Sequence, residues 1–111
     1  MSALPFPDDL RVDRAKIIDY LLHSSNGRGK AQFFMHYGFA PEAWEALAEA
    51  LITQARCFPV VSAMDSAYGT RYSVDGAIDT PSRREPLPHV RTVWIWETGS
   101  THLRLITAHP I

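Results

Sequence analysis

The hydrophobic period changes once along this chain, at Pro59, and that change limits the fold more than any other feature. Before it, apolar residues recur at helical spacing. After it, they alternate with polar ones in short runs separated by turn residues. Helices followed by strands predict an α+β fold, with three N-terminal helices packed on one face of a four-stranded antiparallel sheet.

The helical half divides at its breakers. Residues 1–11 contain Pro5, Pro7 and two Asp and read as an irregular lead-in. Asp13 is placed to cap a helix running to about Leu22, with Ile18, Leu21 and Leu22 as its buried stripe. Ser24 to Gly29 interrupts it. A second helix is expected from Lys30 to Tyr37, with Gly38 as its left-handed C-cap. Pro41 suits the first turn of a third helix, in which Trp44, Leu47, Ala48, Leu51 and Ala55 share one face. Glu42, Glu45 and Glu49 at its start and Arg56 near its end match the helix dipole.

Four strands follow: Val60 to Asp65, Arg71 to Ile78, Arg91 to Glu97, and Leu103 to His109. The turns fall at Gly69 and at Thr98 to Ser100. Residues 79–89 carry Pro81, Pro86, Pro88 and a Ser-Arg-Arg run, and residues 80–88 are expected to form a mobile exposed loop. Alternation splits each strand into two faces. The aliphatic set Val93, Ile95, Leu103 and Leu105 fits beneath the helices. The open face would then show Arg71, Ser73, Thr92, Trp94, Trp96 and Arg104. The competing assignment puts the Trp residues in the core, since a slip of one residue exchanges the faces.

At 111 residues the chain fits a single domain, residues 1–111, able to bury a core without metal or disulfide. Its composition, 46% hydrophobic and 21% charged, is that of a globular protein. A net charge of −1 argues against a general nucleic-acid coat while leaving room for a local phosphate site. Cys57 is the one cysteine, so neither an intramolecular disulfide nor a cysteine zinc site is expected. The apolar runs are too short to cross a membrane, and the first residues lack the pattern of a signal peptide. The expectation is a cytoplasmic protein without cofactor, metal or membrane association.

Several motifs bear on chemistry. Asn26-Gly27-Arg28-Gly29-Lys30 lacks the upstream Gly, the following Ser or Thr, and the preceding strand of a nucleotide-binding P-loop. Arg28 and Lys30 can still meet an anion. The histidines show no metal-ligand spacing, and His36 and His109 are the better candidates for proton transfer. Nucleophile motifs of the Ser or Cys type are absent.

Together, KIIDYLL (Lys16–Leu22), GRGKAQFF (Gly27–Phe34) followed by YGF, YGTRYSVDG (Tyr68–Gly76), RTVWIWE (Arg91–Glu97) and RLITAHP (Arg104–Pro110) resemble a bacterial family of short uncharacterised domains, the domain of unknown function 6883. The resemblance implies a stand-alone protein or the end of a toxin-like or phage-associated chain. The family pattern usually has Ser before the Lys and Tyr in the last motif, where this chain has Gly29 and His109. The expected architecture is also similar to that of barnase-, EndoU- and RelE-type ribonucleases. That likeness implies metal-independent RNA cleavage, with Arg71, Arg91 and Arg104 holding phosphate. Tyr72, Thr107 and either His36 or His109 would supply proton transfer or hydrogen bonds, and Arg28, Lys30, Thr92, Trp94 and Trp96 would contact RNA. The alternative is a non-catalytic interaction module, an immunity- or antitoxin-like partner or a phage accessory, with Trp94 and Trp96 as anchors. The partners implied are RNA or a cognate antitoxin or immunity protein.

Overall fold

Gly38 ends the second helix as its sequence requires, with φ at +98°. In the computed structural model, which describes residues 3–23 and 29–111, the Phe39 N–H bonds to the Phe34 carbonyl at 3.2 Å and the Gly38 N–H to the Met35 carbonyl at 3.0 Å. These two bonds complete a Schellman cap. The Phe34 and Phe39 rings meet edge-on beneath it, 6.2 Å apart. The helix so ended is α2 (Lys30–His36); α1 (Arg14–Lys16) precedes it and α3 (Trp44–Cys57) follows.

The first helix departs from expectation. It passes after Lys16 into a π-helical segment, Ile17–Leu21, closed by the Leu22 N–H on the Ile17 carbonyl at 2.7 Å. The wider turn puts Ile17, Leu21 and Leu22 in the core and leaves Ile18 half-buried. Asp13 holds the N-cap position without a side-chain bond; its carbonyl accepts the Lys16 N–H at 3.0 Å. Pro41 opens a short 3-10 turn that leads into α3, whose Leu47, Ala48, Leu51, Gln54 and Ala55 are buried.

The sheet has five strands, not four, and is mixed. Its order is β1 (Leu10–Arg11), β5 (Leu103–Pro110), β4 (His89–Glu97), β3 (Gly69–Ala77) and β2 (Val60–Ser66). β1 arises from the stretch expected to be irregular, and it runs parallel to β5. A two-residue edge strand is too short to leave a periodic signal. The other pairings are antiparallel, as expected.

The face assignment on β4 is reversed relative to the expectation. Thr92 and Trp94 are fully buried on the helix-facing side together with Val74 and Val90. The indole N–H of Trp94 donates to Thr92 Oγ1 at 2.8 Å, and that hydroxyl donates to Gln54 Oε1 at 2.9 Å. Gln54 in turn donates to the carbonyls of Val74 and Val90, each at 3.0 Å. A polar residue on the inner face of α3 thus makes it possible to bury the tryptophan, because a buried N–H needs a partner. Trp96 is half-buried, meets the Phe6 ring edge-on at 5.2 Å, and donates to the Ser100 carbonyl. By alternation Val93 and Ile95 lie on the face away from the helices. Ile95 is nevertheless buried there: its partners across the sheet are Arg71 and Arg104, whose aliphatic stems can cover it.

Leu103 and Leu105 do face the core. Beyond them the pairing of β4 with β5 shifts, from Trp94 opposite Leu105 to Val93 opposite Thr107, so Ile106 is an extra residue. This bulge exchanges the two faces of β5. Ala108 then enters the core, and Thr107 and His109 fall on the same side of the sheet as Val93 and Arg91. The loop after β3 is exposed from Pro81 to Pro86, while Thr80 and Pro88 at its ends are buried. The Ser82 N–H bonds to the Tyr37 carbonyl at 3.2 Å and ties the loop to the end of α2.

Candidate functional site

The bulge in β5 gathers a set of polar side chains at one end of the sheet. Register places Asp75, Arg91 and His109 side by side on β3, β4 and β5. Arg91 donates from Nε and Nη2 to the two carboxylate oxygens of Asp75, at 2.7 and 2.8 Å. This fork-on-fork pair fixes the guanidinium and leaves its Nη1 hydrogens outside the pair. The Asp75 carboxyl is held below its ordinary range, chiefly by the Arg91 hydrogen bond. His109 is partly buried, and burial, then the charges of Arg91 and Lys30, push its pKa below the ordinary value; Asp75 opposes them.

β1 ends at Arg11, so the edge of β5 beyond Arg104 is not paired by it. α1 and α2 pack against β5 there. They bring three more groups to the rim. Lys30 Nζ lies 3.4 Å from the Tyr20 hydroxyl, and the ammonium groups of Lys16 and Lys30 lie 5.1 and 5.3 Å from the Tyr20 ring centre. The phenol is shifted toward ionisation, first by the Thr107 hydroxyl; burial, the next effect in size, opposes it, and Lys30 and then Lys16 add smaller contributions toward ionisation. Thr107 Oγ1 is close enough to act on the phenol, yet it is buried and completes no hydrogen bond of good geometry among the described residues. It is unsatisfied, because a strong bond requires alignment as well as proximity.

A family described as Domain of unknown function (DUF6883) matches residues 3–111. The chain belongs to this family. No curated protein and no solved structure matches it.

In this DUF6883 chain the structure brings Lys30, Arg91, Thr107 and His109 together, all of them residues singled out from the sequence. The others lie elsewhere. Arg71 and Arg104 flank Ile95, four residues along β4 from Arg91, or roughly 13 Å. Arg104 also pairs with Glu97 at 3.2 Å. The three arginines therefore do not converge on one phosphate. Tyr72 shares the helix-facing side with Trp94, its register partner. Thr92 and Trp94 are core residues, and Trp96 is packed on Phe6, so the expected aromatic platform for RNA bases does not exist. His36 stands apart at the end of α2, 3.3 Å from Arg84. Arg28 lies outside the described residues.

Sequence reasoning missed Tyr20, Asp75 and Lys16. Asp75 was within reach, since pairing the YSVDG and RTVWIWE strands antiparallel with one particular offset sets it beside Arg91. Tyr20 carried no such signal, because only the π-helical turn and the short β1 bring it to the rim.

Among the described residues there is no group of three His, Cys, Asp or Glu side chains able to hold a metal ion, and no helix long and apolar enough to cross a membrane. A groove of about 390 Å³ between α3 and residues 79–81 is lined by Glu49 and Asp79 and by no basic side chain. Its charge disfavours an anionic ligand. The rim, with Arg91 on Asp75 and with Lys16 and Lys30 on Tyr20, favours one.

Proposed function

We propose that the chain is a ribonuclease-like domain of the toxin type that cleaves RNA without a metal ion. The observation that carries this reading is His109 beside Arg91, which Asp75 holds in place, with Lys30 near enough to act on its charge. A proton acceptor beside a fixed cation, with a second cation nearby, is what phosphodiester cleavage asks of a protein. The cations stabilise charge developing on the phosphoryl oxygens, and the base activates the attacking oxygen. The neutral imidazole that this role requires is favoured by the same burial and the same cations. Arg71 and Arg104, farther along the same face, would contact flanking phosphates. A cognate antitoxin or immunity protein would act by covering the rim.

Incubating the purified protein with mixed RNA in excess EDTA tests the reading. Wild type should cleave, His109→Ala should be slower by about 10²- to 10⁴-fold, and Arg84→Ala should match wild type. Absence of cleavage by wild type anywhere from about pH 5 to about pH 8 refutes it.

A second reading, a non-catalytic interaction module, has one observation in its favour. β2 is an edge strand with a single charge, and Val61 and Met64 on it and Tyr68 beside it are exposed. Such an edge can accept a partner strand. Of the tryptophan anchors first expected for this reading, Trp94 is fully buried and Trp96 is half-buried against Phe6.

A further inference from the structure

We propose that Tyr20 is the proton donor to the leaving oxygen in an RNA transphosphorylation, working across the phosphate from His109. The inference rests on the ribonuclease reading and adds the second proton-transfer group, the nucleophile and the products.

Placement carries the argument. Thr107, whose hydroxyl neighbours the Tyr20 phenol, and His109 are two residues apart on one face of β5, past the bulge. Two residues of strand span about 7 Å. That gap admits a phosphoryl group with a hydrogen-bonding group at each end, each at about 3 Å. Arg91 lies beside His109 in register, and Lys30 lies 3.4 Å from the Tyr20 hydroxyl, so each proton-transfer group has a cation next to it. Lys16 and Lys30 over the Tyr20 ring stabilise the phenolate that remains after the proton has gone. A phenol placed only for packing would not need two ammonium groups against it.

The step balances as follows. His109 takes the proton of a ribose 2′-hydroxyl. The 2′-oxygen attacks phosphorus and forms a P–O2′ bond, while the P–O5′ bond breaks. Tyr20 gives its proton to O5′. The products are a 2′,3′-cyclic phosphate end and a 5′-hydroxyl end. The phenolate regains a proton from solvent as His109 loses one, and no oxidant or further reactant is needed. The substrate class is therefore RNA, and a strand lacking 2′-hydroxyls is not cut.

The test uses a short oligoribonucleotide made in two forms, one all-oxygen and one with sulfur in place of the bridging 5′-oxygen at a single linkage. A thiolate leaves without needing a proton. Tyr20→Phe keeps the ring between the lysines. It should cleave the all-oxygen strand about 10²-fold or more slowly than wild type and the sulfur linkage at nearly the wild-type rate. His109→Ala should be slow on both, and wild type should leave a 2′,3′-cyclic phosphate. Equal losses for Tyr20→Phe on both strands, or no loss on either, would overturn the role of Tyr20 and leave the ribonuclease reading standing. Wild type that cleaves neither strand would overturn both.

Discussion

Two polar clusters lie back to back across β3, β4 and β5, and they are built on opposite principles. On the helix-facing side Gln54, Thr92 and Trp94 form a chain in which each donor finds an acceptor, ending on the carbonyls of Val74 and Val90. On the other side, one residue along β4 from Thr92, Arg91 joins Asp75, His109 and the rim group of Thr107, Tyr20, Lys30 and Lys16. There cations outnumber the carboxylate, and a buried threonine hydroxyl has no partner among the described residues. A satisfied buried network specifies and stabilises a core. An unsatisfied one with excess charge is costly to the fold, and such cost is characteristic of binding and catalytic sites.

Substitutions can break this comparison. Trp94→Ala should have the largest effect on stability, about 3–5 kcal/mol, because it empties the centre of the core and takes from Thr92 one of its two side-chain partners. Urea denaturation followed by circular dichroism checks it, and a loss under about 1 kcal/mol would show that the core tolerates the hole. The sharper contrast comes from making one change on both sides. Thr92→Val removes the acceptor of the buried indole N–H and should cost about 1–3 kcal/mol. Thr107→Val replaces a hydroxyl that makes no good bond and should leave stability unchanged or raise it by up to about 1 kcal/mol. If both variants shift the urea midpoint in the same direction and by similar amounts, the two clusters do not differ as argued.

The same contrast explains what could be read from the sequence. α2, α3 and the four antiparallel strands were legible because each carries its own signal: Gly38 for the cap of α2, the spaced apolar residues of α3, the alternation in β3 to β5; β1 and the π-helical turn carried none. The faces were not legible, for two physical reasons. On β4, Val93 and Ile95 look more like core than Thr92 and Trp94, and only Gln54, a polar residue among the apolar ones of α3, reverses the preference. On β5, the extra residue Ile106 flips the alternation midway, so no single assignment of the strand could have been right. Four residues of the rim were visible by chemical type, namely Lys30, Arg91, Thr107 and His109. Their assembly depends on that bulge and on the π-helical turn, neither of which has a sequence signature of its own.

The smallest effect is also the most specific, because it separates two titrations on the same face. His109 has its pKa lowered from 6.5, by burial first and then by Arg91 and Lys30. As pH falls below 6.5, the unfolded chain takes up this proton before the folded one does. Stability therefore rises with pH across that window, and the contribution is lost as pH falls through the folded value. Asp75 is lowered from 3.8, chiefly by its bond to Arg91, so its contribution is full above 3.8 and disappears only at more acidic pH. Urea midpoints measured from about pH 8 to about pH 3 should fall in two stages. His109→Gln should flatten the upper stage and largely leave the lower, whereas Asp75→Asn should shrink the lower stage, which Asp9 shares, and deepen the upper one, because Asp75 opposes the lowering of the His109 pKa. If His109 is also the base, the acid limb of the cleavage rate must lie below 6.5, since only the unprotonated ring can accept the 2′-hydroxyl proton. An acid limb at or above that value would mean that His109 carries its proton through the working range, and the base would have to be sought among other groups.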